Sequence, residues 1–392
     1  MTTTAHHATA PRPGPGPDGR RTILHVAQSS EGGVARVAAD LVAGQCARGD
    51  RVVVACLPGS RLHRAAECSG AHVVPWEAGR APGPGLAREV AALRRVVRSA
   101  RPDLVHLHSS KAGLAGRLAL RGRLPTVFQP HAWSFDAVPG PLRVALAQWE
   151  RAGARWVHRL VCVSEAEHLQ GRAAGVRAPY VVVPNGVDLA YFAGANGSSR
   201  QAARGRLGVD DAVPLAVCVG RLCRQKGQDV LLGAWPGVRD RVAGAQLVLV
   251  GDGPDRAALA ARAPEAVRFA GDVADPRDWY RAADLVVLPS RWEGMALAPL
   301  EAMACCCPVV VTDVPGARES LPAPQWPVAL VPPDDPGALA AAVSARLADL
   351  HGCHRLGRRA QRHVCRHHDV RQVVEHMYTV YDDARRAWAA HG

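Results

Sequence analysis

Residues 284–319, with the sequence DLVVLPSRWEGMALAPLEAMACCCPVVVTDVPGARE, constrain the fold of this chain more than any other segment. The apolar run at Leu285–Leu288 is typical of a short strand buried on both faces. Helix-forming residues follow at 297–304, Pro308 ends that helix, and 309–311 begins a further strand. This succession indicates a parallel α/β sheet. The loop before the helix then lies at the carboxyl end of a strand, where such sheets bind ligands.

Two glutamates flank this passage from loop to helix. Glu293 precedes the helix, Glu301 lies inside its first turns, and Gly294 follows the first glutamate. A helix N-terminus offers unpaired N–H groups and a partial positive charge, which attract phosphate or hydroxyl oxygens. A carboxylate beside it accepts hydrogen bonds from a diol such as ribose or a hexose. Either glutamate alone is as readily a capping or surface residue, but the preceding strand and the glycine favour a ligand site.

Strands and helices alternate along the rest of the chain, which predicts doubly wound parallel sheets. A chain of 392 residues is long enough for two domains. We predict a first domain over residues 21–190, a polar linker over 191–205 and a second domain over 206–369. The Pro- and Gly-rich residues 1–20 are predicted to form a disordered tail.

Charge and composition exclude several classes of protein. The net charge is +13, but no dense basic block exists and aromatic residues do not alternate with the arginines, so we expect no nucleic-acid binding. An anionic nucleotide sugar or an anionic membrane surface suits this charge better. No run of eighteen apolar residues and no apolar N-terminal core occur, so we expect a cytoplasmic chain, with peripheral contact at the inner face of the membrane left open. Its 11 cysteines are expected to be reduced thiols.

Lysine is nearly absent from this arginine-rich chain. Of 48 basic residues, only Lys111 and Lys226 are lysines, and both follow apparent strands. Arg221 and Lys226, within VGRLCRQKG, can converge on one anion, although a plain basic helix start would have the same sequence. Fixed cations lower the barrier for a departing diphosphate, which gains negative charge as its bond breaks.

The pattern EGxxxxxLEAMA followed by PVVxTDVxGxxE resembles the signature of retaining glycosyltransferases of the GT-B fold, the glycogen-synthase-like family 4. VPNGVD at 183–188 also matches that family. The resemblance implies an α/β fold of two Rossmann-like, doubly wound domains that face each other across a cleft. It also implies that a C-terminal helix, 370–392, crosses back to complete the first domain. One departure is Cys306, where the family usually has glycine; a positive φ there would strain cysteine.

The resemblance assigns donor contacts in the second domain. Glu301 would hold the nucleotide ribose, and Glu293 would contact the donor sugar. Arg221 and Lys226 would bind the pyrophosphate. The backbone N–H groups that follow the glycine would also contact the donor; the residues of this loop are Gly294, Met295, Ala296 and Leu297.

The first domain would supply the opposite wall of the cleft. By resemblance, His131 contacts the donor sugar near its reacting face, and the Gly32–Gly33 loop lies near the donor phosphates. His131, Glu293, Arg221 and Lys226 are therefore the candidate catalytic residues. Candidate acceptor contacts follow another strand; they are His108, Ser109 and Lys111.

The implied reaction moves a hexosyl or N-acetylhexosaminyl group from a UDP- or GDP-sugar to a hydroxyl acceptor with retention of configuration. The acceptor is a polysaccharide, a lipid-linked precursor or a small natural product. No D-x-D pair follows a strand, and the cysteines and histidines at 353–368 lack the spacing of a standard zinc site, so we expect no metal and no cofactor.

Three other functions stay open at this point. They are a UDP-sugar epimerase of the same fold, a non-catalytic sugar-nucleotide-binding protein, and a membrane-surface protein using the arginine-bearing helix at Leu86–Ala100. The acceptor, the nucleotide base and the oligomeric state are not encoded in any pattern of the sequence.

Overall fold

The computed structural model describes residues 20–79, 83–192 and 197–391. The predicted disordered tail, apart from Arg20, lies outside the described residues. Two sheets form the framework, and every strand pair within them is parallel. The predicted pair of doubly wound α/β sheets is therefore confirmed.

The first half, residues 20–192, contains a seven-stranded sheet ordered β3-β2-β1-β4-β5-β6-β7. Its strand order reverses between β1 and β4, the switch point where open α/β sheets bind ligands. Its elements are β1 Thr22–Ala27, α1 Gly32–Ala47, β2 Arg51–Cys56, α2 Arg61–Cys68, β3 His72–Pro75, α3 Leu86–Ala100, β4 Leu104–His108, α4 Ser109–Leu120, β5 Thr126–Gln129, α5 Gly140–Gly153, β6 Arg159–Cys162, α6 Glu165–Ala173, β7 Tyr180–Val182 and α7 Leu189–Phe192.

The second half, residues 197–369, contains a six-stranded sheet ordered β10-β9-β8-β11-β12-β13, with its switch point between β8 and β11. Its elements are α8 Gly197–Leu207, β8 Leu215–Val219, α9 Gln228–Arg239, β9 Gln246–Val250, α10 Arg256–Ala260, β10 Val267–Gly271, α11 Arg277–Ala282, β11 Leu285–Leu288, α12 Leu297–Ala304, β12 Val309–Thr312, α13 Ala317–Ser320, α14 Trp326–Ala329, β13 Leu330–Val331, α15 Pro336–Leu347 and α16 Leu350–His367. Both β11 and β12 are buried along their whole length, because helices cover the two faces of the sheet.

The last helix, α17 at Val370–His391, returns to the first half. A Cβ atom added to Gly44 of α1 would lie 2.8 Å from Val374 Cγ2, so the two helices are in close contact. Tyr381 is 1% exposed and its hydroxyl accepts a hydrogen bond from Gln45 of α1. Within the described residues, no helix is long and apolar enough to cross a membrane.

The predicted linker at 191–205 needs a correction, because most of its described residues form helix α8. Arg204 is fully buried, and its guanidinium donates to the Asp284 carboxylate at 2.8 Å and to the Ala282 carbonyl at 2.9 Å. A buried guanidinium with these partners ties α8 to the second sheet. The polar composition of this segment indicated a linker, but one of its polar residues, Arg204, anchors the helix to the second sheet.

Cys306 has a φ of 61°, so its backbone lies in the left-handed region, which a residue with a β-carbon rarely adopts. It follows α12, where the Cys306 N–H donates to the Met303 carbonyl at 3.0 Å and the Cys307 N–H donates to the Ala302 carbonyl at 2.9 Å. These two bonds form a Schellman motif, in which the Cys306 position usually holds glycine. The positive φ considered from the sequence is present.

Replacing Cys306 by glycine is expected to stabilise the protein by about 1 kcal/mol, because glycine has no β-carbon to strain at this φ. The midpoint of urea unfolding would measure the gain. Cys305→Gly is the matched control, since Cys305 is buried with a φ of −81° and gains nothing from glycine. A Cys306→Gly protein no more stable than the wild type would contradict this account.

Candidate functional site

Loops at the carboxyl ends of the two sheets touch each other. A Cβ atom added to Gly294, after β11, would lie 3.0 Å from the carbonyl carbon of His131, after β5. A Cβ atom on Gly33, at the start of α1, would lie 4.0 Å from Leu297 Cδ1 of α12. Only glycine permits the first approach. The structure therefore brings the predicted residues of both halves to one cleft.

Lys226 and Glu293 form an ion pair on the second-half wall of this cleft. The Lys226 Nζ atom lies 2.5 Å from Glu293 Oε1, and the two side chains are 20% and 11% exposed. Gly227, with a φ of 64°, makes the pair possible, because a Cβ atom there would lie 2.0 Å from the Pro289 carbonyl oxygen. The loop after β8 thus packs directly against the loop after β11.

Arg221 belongs to the same loop as Lys226, and its side chain is half-buried. Its backbone carbonyl accepts a hydrogen bond from Gln228 at 3.0 Å. Over 20–79, 83–192 and 197–391, its guanidinium has neither an ion-pair partner nor a hydrogen-bond acceptor. A cation with no protein partner is available to an anionic ligand.

The N-terminus of α12 offers further donors. In the part of the chain that the structure describes, the backbone N–H groups of Met295, Ala296 and Leu297 have no acceptor, and no side chain caps the helix. The carbonyls on the same strip of backbone are held by the first half: Ser164 Oγ donates to the Gly294 carbonyl at 2.9 Å, and Asn185 Nδ2 donates to the Met295 carbonyl at 2.8 Å. Because C=O and N–H point in opposite directions across a trans peptide, these two bonds aim the N–H groups of Met295 and Ala296 away from Ser164 and Asn185.

Glu301 lies in the second turn of α12 and is 8% exposed. Burial raises the pKa of its carboxyl group, while the hydrogen bond from Tyr280 and the charge of Arg36 lower that pKa. The Tyr280 hydroxyl donates to Glu301 Oε2 at 2.7 Å. Among the described residues, Oε1 has no hydrogen-bond donor, so it remains able to accept from a ligand hydroxyl.

Glu319, the last residue of the signature, joins the two halves. Its carboxylate accepts from the backbone N–H groups of Glu165 at 2.6 Å and Ala166 at 3.0 Å. These are the first residues of α6, so a negative charge from the second half sits at a helix N-terminus of the first half. This contact and the two bonds from Ser164 and Asn185 hold the two halves against each other.

His131 follows β5 and has an unusual backbone, with a φ of 60°, and the φ of Ala132 is 128°. Such conformations persist only where neighbouring groups impose them, and they concentrate at functional sites. Here the Ala132 N–H donates to Glu167 Oε1 at 2.7 Å, which holds the turn. Burial lowers the pKa of His131 to about 3, so its ring is neutral at pH 7.

Two of the three candidate acceptor contacts lie inside the first half instead of in the cleft. His108 is fully buried, and its Nδ1 atom lies 3.2 Å from His131 Nε2. Lys111 is 4% exposed, and its Nζ atom lies 2.7 Å from Glu89 Oε2 on α3. Ser109 is half-buried, with its hydroxyl 3.5 Å from that of Ser29. Burial and ion pairing therefore leave only Ser109 of the three placed for an acceptor.

The sequence analysis assigned no role to several residues that build this site. Asn185 and Glu319 stand within motifs that resemble the family, so a signal existed, but their partners lie 110 and 154 positions away in the chain. Ser164 and Tyr280 belong to no motif, and Arg36 lies in the glycine-loop segment SSEGGVARV without a predicted role. Only the folded arrangement shows that Ser164 contacts the loop after β11, that Tyr280 contacts the Glu301 carboxylate, and that the charge of Arg36 acts on this carboxylate.

Family models match both halves of the chain. Residues 31–191 match the family model described as Glycosyltransferase Family 4. Residues 213–349 match the model described as Glycosyl transferases group 1. The two matches cover the glycine loop and His131 in the first half, and Arg221, Lys226 and both glutamates in the second.

Two curated glycosyltransferases are similar to this chain in sequence. The lipopolysaccharide core biosynthesis mannosyltransferase LpsB of Rhizobium meliloti strain 1021 is 32% identical over 246 residues, which are 59% of this chain and 67% of that protein. The putative teichuronic acid biosynthesis glycosyltransferase TuaC of Bacillus subtilis strain 168 is 33% identical over 253 residues, 62% of this chain and 61% of that protein. The matched part thus spans about two thirds or less of these curated relatives.

Solved structures share the whole architecture. Anabaena Alr3699/HepE, in complex with UDP and glucose, superposes with a TM-score of 0.80 at 22% identity, over 93% of this chain and all of that one. The lipopolysaccharide glycosyltransferase WaaG superposes with a TM-score of 0.72 at 16% identity, over 92% and 99% of the two chains. These likenesses establish the GT-B fold. With the two family models and the LpsB match, they show that this chain belongs to glycosyltransferase family 4, among the group 1 glycosyl transferases.

Proposed function

We propose that this chain transfers a hexosyl or N-acetylhexosaminyl group from a UDP- or GDP-sugar to a hydroxyl acceptor, with retention of configuration. The observation that carries this proposal is the cluster of donors for one diphosphate. Arg221 and Lys226 share the loop after β8, Lys226 is paired with Glu293 of the loop after β11, and the free N–H groups of Met295, Ala296 and Leu297 follow Glu293 in that second loop. The neutral ring of His131 lies across the cleft.

The named relatives and neighbours support the donor class. One relative is a mannosyltransferase, another is a GDP-mannose-dependent mannosyltransferase, and a third is a UDP-galactose-dependent galactosyltransferase. HepE was solved with UDP-glucose. We therefore propose a UDP- or GDP-hexose for this chain as well. Saccharide or lipid-linked acceptors, reached from the cytoplasmic face of a membrane, are the proposed second substrates.

The proposed roles follow from the contacts. Glu301 accepts hydrogen bonds from ribose through its free oxygen, while Tyr280 holds the other oxygen. The cations and the α12 N–H groups stabilise the negative charge that grows on the departing diphosphate. The Glu293 carboxylate, oriented by Lys226, and the His131 ring position the sugar. The departing phosphate takes the acceptor proton on the face from which it leaves, so retention requires no protein nucleophile.

Separate donor and acceptor experiments test this proposal. A thermal-shift screen across UDP- and GDP-sugars would first identify the donor. That donor, radiolabelled, would then be incubated with pooled saccharide and lipid acceptors, and the product's anomeric configuration would be read by NMR. We expect a labelled glycoside with the donor's configuration. Epimerised donor without glycoside, or an inverted product, would overturn the proposal.

We also propose that transfer needs no metal ion, because cationic side chains and backbone N–H groups can neutralise the diphosphate. EDTA treatment is expected to leave the initial rate within a factor of about two of that of the untreated protein. The rate would be measured in chelated buffer and again after adding Mg²⁺ or Mn²⁺. A loss of activity that one of these metals restores would contradict the metal-free mechanism.

A further inference from the structure

A continuous row of polar side chains runs from the cleft into the first half, and every member except the half-buried His131 is buried. Each member lies within hydrogen-bond distance of the next, and the row connects the loop after β5 with β4, β1, α1 and α17. In order from the cleft, the members are His131, His108, His25, Gln45, Tyr381 and His106.

Strand geometry explains how three histidines share one layer. In the parallel pair of β1 and β4, His25 is in register with His106, and Ala27 is in register with His108. Side chains alternate between the faces of a strand, so His106 and His108 point to the same face. Helices α1 and α17 cover that face and contribute Gln45 and Tyr381.

Every imidazole in the row is neutral. Burial lowers the pKa of His25 to about 4 and that of His131 to about 3, and it holds the pKa of His106 and His108 well below the ordinary value. A neutral imidazole carries one proton, so one nitrogen donates and the other accepts. The protons of the row must therefore all point one way, or all point the other way.

The Gln45 amide selects the direction. Its Nε2 atom donates to the Tyr381 hydroxyl, and its Oε1 atom, which can only accept, faces His25 Nε2, so His25 carries its proton on Nε2. At the far end of the row, His106 Nε2 and Gln129 Oε1 are both buried, and neither has a hydrogen-bond partner among the described residues. His106 Nδ1 then accepts from the Tyr381 hydroxyl, whose oxygen accepts from Gln45 Nε2 at 3.1 Å. The remaining Gln45 oxygen accepts from His25 Nε2 at 2.8 Å.

The same direction continues to the cleft. With its proton on Nε2, His25 accepts at Nδ1 from His108 Nε2, 2.9 Å away. His108 then accepts at Nδ1 from His131 Nε2, 3.2 Å away. The proton of His131 is thereby held on Nε2, and its Nδ1 atom keeps a lone pair.

We propose that this row fixes the tautomer of His131, so that its Nδ1 atom accepts a hydrogen bond from a hydroxyl of the donor sugar. His108, His25, Gln45 and Tyr381 are positioning residues that act through His131 and never touch the substrate. The benefit of the row is preorganisation, because a ring free to exchange tautomers would present an acceptor for only part of the time. The assignment of sugar contact to His131 rests on the proposed function.

A metal ion explains this cluster less well. Nitrogen atoms of His25, His106 and His108 all lie within 4.8 Å of one another, close enough to suggest a shared ion. However, the facing nitrogens of His25 and His108 are 2.9 Å apart. Two nitrogens on one tetrahedral zinc ion are separated by about 3.3 Å, given Zn–N bonds of about 2.0–2.1 Å. The observed spacing is that of a hydrogen bond.

Tautomers can be read directly in the protein without substrate. We expect long-range ¹H–¹⁵N correlation spectra of ¹⁵N-histidine-labelled protein to show His131 as a single Nε2–H form, with its signals assigned by their loss in His131→Gln. Tyr381→Phe keeps the ring but removes the hydroxyl that links Gln45 to His106, so both proton directions become accessible. In that variant we expect the Nδ1–H form of His131 to rise to about half of the population.

Tyr378→Phe is the matched control. It also removes a hydrogen-bonded hydroxyl from α17, the one that donates to Asp50, but it lies outside the row. We expect its His131 spectrum to equal that of the wild type. Gln45→Leu interrupts the row between His25 and Tyr381. If Tyr381→Phe fails to fold, this variant should show the same rise in the Nδ1–H form of His131.

A transfer assay gives an independent test of the proposal. A half-populated acceptor form is expected to lower kcat/KM about twofold in Tyr381→Phe and to leave Tyr378→Phe unchanged. An Nδ1–H form of His131 in the wild type, or a His131 spectrum unchanged by both row variants, would overturn the tautomer proposal even if transfer proceeds. The expected spectra in a protein without transferase activity would instead refute the sugar contact and leave the row's control of the tautomer intact.

Discussion

Replacing Lys226 by methionine is expected to lower kcat about 100- to 1,000-fold, which corresponds to about 2.7–4 kcal/mol of lost transition-state stabilisation. The ammonium lies 2.5 Å from Glu293 Oε1, and Glu293 precedes the loop residues with free N–H groups. Lys226 therefore both orients the carboxylate and supplies positive charge where the diphosphate departs. Methionine keeps most of the side-chain length and removes the charge.

Arg224→Met is the matched control for this experiment. Arg224 belongs to the same short 3-10 helix, Arg224–Lys226, and its side chain is exposed. Its removal deletes one positive charge two positions from Lys226 and is expected to leave kcat within about twofold of wild type. Initial rates would be measured at saturating donor, with circular dichroism to verify folding. A folded Lys226→Met protein with wild-type kcat would remove Lys226 from the catalytic site.

Replacing Glu301 by alanine is expected to weaken donor binding at least tenfold, since a hydrogen bond to a charged group contributes about 1.5–3 kcal/mol. The carboxylate has one oxygen bound to Tyr280 and one oxygen open to a ligand. Calorimetric titration with UDP and GDP would report the loss without needing an acceptor. A matching rise in the donor KM, at least tenfold, is expected in the transfer assay.

Tyr280→Phe separates the ligand contact from local structure. It leaves the Glu301 carboxylate in place but removes the hydroxyl 2.7 Å from Oε2. Because the open oxygen remains, we expect this variant to bind nucleotide within about threefold of wild type. Equal nucleotide affinity in Glu301→Ala and wild type would contradict the ribose contact, whereas equal losses in both variants would show that Glu301 acts only through packing.

The backbone of the loop and helix that carry the proposed donor site could be predicted because its determinants are close together in the sequence. Leu285–Leu288, Gly294, Glu301 and Pro308 encode a strand, a close turn, a helix and its end within one segment. Backbone direction follows from such local patterns, and the carboxyl end of a parallel strand fixes which side of the sheet the loop occupies. The Cys306 backbone followed from the same local reasoning.

The surroundings of the candidate acceptor residues His108 and Lys111 could not be predicted in this way. His108 ends a strand just as Glu293 follows one, but its ring faces a layer closed by Tyr381 of α17, and Tyr381 lies 275 positions from its partner His106. Lys111 turns inward because α3 places Glu89 beside it. Whether a polar side chain at a strand end faces the solvent or the interior depends on which distant element covers it. The local sequence pattern does not indicate which element that is.

The sequence by itself determined the two doubly wound sheets, the loops of the proposed donor site and the family to which the chain belongs. These depend on strand periodicity, glycine positions and residue types within short segments. The tertiary structure alone decided that Glu319 binds the N-terminus of α6, that Ser164 and Asn185 orient the N–H groups of Met295 and Ala296, and that a row of hydrogen-bonded side chains ends at His131. Each of these needs groups far apart in the chain to meet at about 3 Å, a separation that only the packed fold sets.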